Sequence, residues 1–409
     1  MMRNRFTAVA QSWRWMAVVV FLVDGFCSVN NLSTWKGDWW WGYNHSLQGL
    51  PIVLFVVAAS VAWDAGRSGN GLQAWARRGP DASWKVPASI GGKPLAVAVG
   101  AQLTASLVVV VVTLANHGAV PSSAVLVVAV HLSMTLLAGA VGLAAGARLS
   151  GVYAVIAALV AIAVLQFVVP PFGSRVFEYP GVASSVIGFK PSTSYYLVVL
   201  VGLLLASLVL FGSVCLPPRR LDRVLAGAIA AVACFAVTSA AIPGTPFVAS
   251  GVPPTRCGGS EVTVCMYAGY DALVDPLSAG LQQLREMATT DGVNASLLPS
   301  IYWQHDGGRL PVGVGVITLD ADTPTTGPPS ASTLVIAVST PLWCSVMFAG
   351  TPPVTLLKDR QLVADWAALR LGVLPRGQFA MRHKDLPIGS QEFISAVNAA
   401  LGRMRNCVN

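Results

Sequence analysis

Two ionisable side chains stand inside long apolar runs: Asp24, in Val20-Phe21-Leu22-Val23-Asp24-Gly25-Phe26, and His131, in Val127-Val128-Ala129-Val130-His131-Leu132. A carboxyl and an imidazole at membrane depth each cost several kcal/mol unless partnered, so they are candidates for function by default. Counted along their helices at about 1.5 Å per residue, both fall near mid-depth. Together they could form a substrate site or a proton site. The competing reading makes each a satisfied polar contact in a helix bundle, or turns Asp24 toward a water-filled vestibule. Gln102 and Gln166 carry the same signal more weakly.

Thiols are the second kind of chemistry. Four of seven cysteines, Cys257, Cys265, Cys344 and Cys407, fall after residue 243, while Cys27, Cys215 and Cys234 lie in or beside apolar runs. An even number in an oxidising compartment allows a two-disulfide framework. Three pairings are open, with Cys257–Cys265 and Cys344–Cys407 favoured; the alternative is buried free thiols. Catalytic strings are missing: no H-E-x-x-H, no G-x-S-x-G and no phosphate-cradling G-x-x-x-x-G-K-[ST]. Gly91-Gly92-Lys93-Pro94 comes nearest to the last, with proline where the magnesium-binding hydroxyl should stand. His305 beside Asp306, and His383 beside Lys384 and Asp385, could meet on folding, but side chains this sparse predict neither an enzyme nor a metal site.

Composition explains what must position these groups. Of 409 residues 54% are hydrophobic and only 11% charged, against about 25% charged in soluble domains; mean hydropathy is +0.64. The surplus is packed into seven runs of membrane length, near 13–29, 47–66, 94–116, 123–147, 151–170, 195–217 and 224–242. The net charge of +8 divides unevenly, with 15 Lys and Arg against 6 Asp and Glu before residue 243, and 11 against 12 after it. The basic excess sits in short loops of the membrane half, where it reports orientation and excludes a nucleic-acid partner. One loop set carries Arg3, Arg5, Arg14, Arg67, Arg77, Arg78, Lys85, Lys93, Arg148, Arg219, Arg220 and Arg223; the alternate set carries Lys36, Arg175 and Lys190. A cytoplasmic N-terminus follows, and an odd number of spans then leaves the C-terminal part outside the cell membrane.

The expected fold is an all-α polytopic membrane bundle followed by a small extracytoplasmic α/β or α+β domain. Its boundaries are 1–223 for six spans, 224–242 for a seventh helix, 243–254 for a Pro-rich linker and 255–409 for the outer domain. Within the last, 261–266, 312–319 and 333–338 read as strands, and 276–287, 362–371 and 391–404 as helices. Gly142 and Gly146 form a G-x-x-x-G face suited to packing within one subunit, with a contact between two protomers as the alternative. The aromatic loop Gly37-Asp38-Trp39-Trp40-Trp41-Gly42-Tyr43 reads as a ring at the lipid headgroups, with a lid over an amphipathic cargo as the alternative.

One loop carries a further signal. After Trp63-Asp64-Ala65-Gly66-Arg67, Asn70 can cap a short helix in which Leu72 and Trp75 share a face, and Arg77-Arg78-Gly79-Pro80 closes it. An interfacial helix lying on membrane lipid would look similar. With the six-span layout, this loop resembles the membrane subunits of type-2 ABC exporters, in an actinobacterial group with an extracytoplasmic C-terminal domain. The resemblance implies that Leu72, Trp75, Arg77 and Arg78 form a coupling helix docking on a separate ABC ATPase subunit. It also implies pairing with a second permease as homodimer or heterodimer. ATP and Mg would be bound by the partner ATPase and no cofactor by this chain. A surface-binding or sensory protein, anchored by its spans, is the rival from another class.

Overall fold

The computed structural model describes residues 12–30, 32–67, 85–168, 188–215, 222–242, 246–249, 253–304, 311, 313–319, 328–340 and 354–406. Apolar run length dictates the helices of the first half: α1 (Ser12–Val29), the single turn α2 (Leu32–Trp35), α3 (Trp39–Leu47), α4 (Leu50–Arg67), α5 (Lys85–Ala115), α6 (Ala124–Gly146), α7 (Val152–Ala163), α8 (Thr193–Cys215) and α9 (Asp222–Ala241). Among the described residues four helices are long and apolar enough to cross a bilayer, namely α4, the stretch Pro87–Ala115 of α5, α6 and α8. In the expected fifth run the described residues form a shorter apolar helix, Val152–Phe167, in which α7 passes into a π-helical turn at Val164–Val168. α5 begins at Lys85, well before the expected start at Pro94, and carries that proline inside it.

Packing separates central from peripheral helices. In their apolar stretches α6 is 67% and α4 56% buried, against 22% for α5 and 28% for α8. Small residues make the central contact possible. A Cβ on Gly142 would run into the Ala58 carbonyl, and one on Gly146 into Ala65 and the Ala62 carbonyl. The G-x-x-x-G face is therefore used inside the subunit, letting two backbones approach as small residues do in membrane helices. Gly202 of α8 meets Thr238 of α9 in the same way.

A two-stranded ribbon pairs β1 (Phe189–Pro191), at the entry to α8, antiparallel with β2 (Phe247–Ala249), beyond α9. The later part of the chain holds a four-stranded sheet, order β3 (Arg256–Gly258), β4 (Thr263–Met266), β5 (Ile301–Gln304) and β6 (Val314–Ile317). The β3–β4 pair is antiparallel and the other two pairs are parallel. Cys257 lies directly opposite Cys265 in the register, and the two form a disulfide. The expected partners Cys344 and Cys407 lie outside the described residues.

Parallel neighbours need a crossover, and α10 (Val274–Asp291) supplies it between β4 and β5. Its Leu277, Leu281, Leu284 and Ala288 are buried at helical spacing, and Gly292 ends it in the left-handed conformation. Residues 333–338, expected as a strand, lie instead in the helix α11 (Ala331–Ser339). Ser330 caps it, accepting from the Thr333 amide, so a local hydrogen bond overrides the β-branched composition. β3 and β5 had no sequence signal, whereas α12 (Val354–Arg370) and α14 (Gln391–Asn406) enlarge the expected helices. α13 (Arg376–Arg382) lies between them.

Buried acids tie these helices together. Asp359 accepts two hydrogen bonds from Arg403, at 2.8 and 2.7 Å, and that pairing pulls the guanidinium above its ordinary value. Asp365 accepts from Arg382 and Gln361 and lies 2.9 Å from His383 Nε2. His383 is thereby committed to a structural contact, and His305 lies outside the described residues.

The α4–α6 contact can be tested by two glycines on different surfaces. Gly142→Ala should destabilise by about 1–3 kcal/mol through overpacking. Gly92→Ala, where a Cβ meets nothing, should be neutral or raise stability by up to about 1 kcal/mol through helix propensity. Thermal unfolding of the two variants in the same detergent reads the difference.

Candidate functional site

The aromatic loop builds the site. Asp38 stands before α3 in an extended conformation, and its Oδ1 accepts from the Trp40 amide at 2.9 Å and the Trp41 amide at 3.2 Å. The first turn of a helix has orphan amides that need such an acceptor. The Trp-Trp-Trp run is helical because of that cap. It is also buried: Trp35, Trp39, Trp41 and Tyr43 are each at most 3% exposed, and Trp40 is 5%. The expected ring at the lipid headgroups is therefore corrected. These side chains face protein: Trp39 stacks on Tyr43 with centroids 4.8 Å apart, and Trp40 meets Phe247 of β2 edge-on at 5.3 Å.

At its start α3 touches the C-terminal part of the chain. Tyr270 donates to Asp38 Oδ2 at 3.3 Å. Next to it, Gly37, Gly118 and Gly269 bring three backbones together. A Cβ on either Gly118 or Gly269 would strike the Gly37 carbonyl, and Gly269 has φ of +94°. Only residues lacking a Cβ permit this approach.

At its other end α3 closes a cavity among apolar helices. Asp24 of α1, Tyr43, Ser46 and Leu47 of α3, Leu50 of α4, Gln102, Ala105 and Ser106 of α5, and Val128, His131 and Leu132 of α6 line it. Asp24 and His131 are thus brought to one cavity, as the sequence suggested they could be, without a direct hydrogen bond between them. Asp24 is five residues from the end of α1 at Val29, and His131 seven from the start of α6 at Ala124. Those offsets correspond to about 7.5 and about 10.5 Å, so both lie toward one end of their helices and under α3.

Partners are unevenly shared. His131 Nδ1 and the Tyr43 hydroxyl share a hydrogen bond at 3.0 Å. Thr135 donates to Gln102 Oε1 at 3.0 Å. Asp24 Oδ2 and Gln102 Nε2 are buried and have no partner among the described residues. The cavity measures about 20 Å³, room for about one water and far too little for an organic cargo. This cavity is therefore not a pocket for an organic substrate, and the described residues hold no group of three or more His, Cys, Asp and Glu that could cage a metal. What the arrangement can do is hold a water or a proton between a carboxyl, an amide and an imidazole–phenol pair.

Sequence reasoning found Asp24, His131 and, weakly, Gln102. It missed the site roles of Tyr43, Ser46 and Ser106. Ser106 follows Gln102 by one helical turn, a spacing that marks a shared face once Gln102 is taken seriously. Gln166, flagged beside Gln102, is buried with both amide atoms unpartnered among the described residues, away from this cavity. The coupling residues Leu72, Trp75, Arg77 and Arg78 lie outside the described residues.

Tyr43→Phe should leave a buried imidazole nitrogen unpaired and cost about 1–3 kcal/mol. Adding His131→Leu should recover part of that loss, because both polar partners are then gone; calorimetric unfolding of the single and double variants measures it. Comparison with protein-family models, with curated proteins and with solved structures finds no match to this chain.

Proposed function

We propose that this chain is the membrane-spanning subunit of an ABC exporter, driven by a separate ATPase polypeptide. The observation that carries the reading is the buried polar cluster of Asp24, Tyr43, Gln102 and His131. Spans that merely anchor a domain have no need of a carboxyl, a phenol, an amide and an imidazole converging inside apolar helices, each costly to bury. In this reading the chain crosses the bilayer seven times, with its N-terminus in the cytoplasm and the region after residue 243 outside. The Cys257–Cys265 disulfide supports that side, since disulfides persist in oxidising compartments. Exposed Trp15, Phe21, Leu22 and Phe26 of α1, and Leu103, Leu107 and Leu114 of α5, supply a surface for lipid or for a second permease.

Mechanistically the subunit performs no bond chemistry. ATP and Mg belong to the ATPase, whose closure would push on the segment containing Leu72, Trp75, Arg77 and Arg78. A cargo path, too large for the cavity inside one bundle, would run between two copies or between this chain and a different permease.

A second reading, a sensory or surface-binding protein, draws on the contact of Asp38 and the Gly37 backbone with Tyr270 and Gly269. That contact would let a ligand on the C-terminal part bias the bundle. Purification from the native membrane separates the two, through co-isolation of an ATPase or of a kinase or regulator. Trp75→Ala combined with Arg77→Ala should abolish transport in reconstituted vesicles while ATP hydrolysis by the partner persists. Undiminished transport by that double variant would refute the coupling role.

A further inference from the structure

Asp24 is 4% exposed, and one of its carboxylate oxygens has no partner among the described residues. The groups facing it can be enumerated from each packed element. α1 itself presents Cys27 and Ser28 one turn on, and the Ser28 hydroxyl is spent on the Asp24 carbonyl at 2.6 Å. α3 presents Tyr43 and Ser46, α4 presents Leu50, α5 presents Gln102 and Ser106, and α6 presents His131. Among the described residues no lysine or arginine lines the cavity, and the one basic group, His131, is engaged with Tyr43. A carboxylate without a counter-charge in apolar surroundings takes up a proton in preference to staying ionised.

Two orphans across the same small space sharpen the point. Asp24 Oδ2 lacks a donor, Gln102 Nε2 lacks an acceptor, and the room between the lining residues fits about one water. A water there accepts from the amide and donates to the carboxyl, satisfying both. A cation such as sodium fits worse, since it asks for a shell of several free oxygens, whereas the Tyr43 hydroxyl is engaged with His131, Gln102 Oε1 accepts from Thr135, and the Ser46 and Ser106 hydroxyls donate to the Tyr43 and Gln102 carbonyls of their own helices.

We infer that the cavity beneath α3 is a proton-binding site, with Asp24 as the acceptor and a single water bridged to Gln102 as the route of entry. On binding, an O–H bond of a hydronium ion in the cavity breaks and an O–H bond forms on Asp24; the carboxyl goes from one negative charge to none, leaving a neutral water. The inference rests on the helical bundle and its cavity and does not depend on an ATPase partner, so it stands or falls separately from the export reading.

The test is infrared difference spectroscopy on the purified full chain in lipid nanodiscs, titrated from mildly acidic to alkaline pH in choline chloride. A carboxylic acid C=O band should be present at neutral pH, vanish reversibly on alkalinisation and be missing from Asp24→Asn. Asp24→Glu, which keeps an acid of nearly the same size, should retain a band at a changed frequency, and this serves if the Asn variant fails to fold. A band that stays at one frequency in wild type and both variants belongs to another carboxyl and overturns the assignment. So does its loss when sodium chloride replaces choline chloride at constant pH, which would make the ligand a metal cation.

Discussion

One carboxylate, Asp38, holds together two things that the rest of the structure needs. Its Oδ1 starts α3 by accepting two backbone amides, and its Oδ2 accepts from Tyr270, more than two hundred residues further along the chain. Without the first contact the Trp-rich segment has orphan amides next to apolar helices, where water cannot replace the acceptor. Without the second, α3 loses its polar link to the region carrying the four-stranded sheet. The three glycine backbones around Gly37 make the same joint close enough for these bonds to form.

α3 gains its significance from having both ends occupied. Asp38 stands at one end, and Tyr43, Ser46 and Leu47 at the other line the cavity with Asp24 and His131. A nine-residue helix spans only about 13.5 Å, and its buried tryptophans leave it little freedom to move independently of its neighbours. One short helix thus touches both the polar cluster and the C-terminal region.

Much of this was legible in the sequence where a single physical quantity decides the outcome. Run length located the helices, and the small residues Gly142 and Gly146 announced a close contact. The spacing of Leu277, Leu281 and Leu284 gave α10. Asp24 and His131 stood out because charge in hydrocarbon is costly. The misreadings share a cause. Tryptophan favours the headgroup layer and the protein interior alike, so the run of Trp39, Trp40 and Trp41 could not reveal that it is covered by Phe247 and its own neighbours. The stretch 333–338 has the composition of a strand, and only the Ser330 cap and the packing of α11 on β6 decide for a helix. Arg256–Gly258 has no alternation at all; it is a strand because Cys257 faces Cys265. Tyr43 and Ser106 join the site through tertiary folding, which no local pattern encodes.

The joint at Asp38 is most directly tested by a double-mutant cycle on Asp38→Asn and Tyr270→Phe, read by unfolding free energies of the purified full chain. The Asn side chain can still cap α3, so the cycle isolates the contact between the two regions. A coupling energy of about 0.5–3 kcal/mol is the expected result. Strict additivity would mean that the bundle and the C-terminal region are not joined through this pair, which contradicts the role assigned to Asp38.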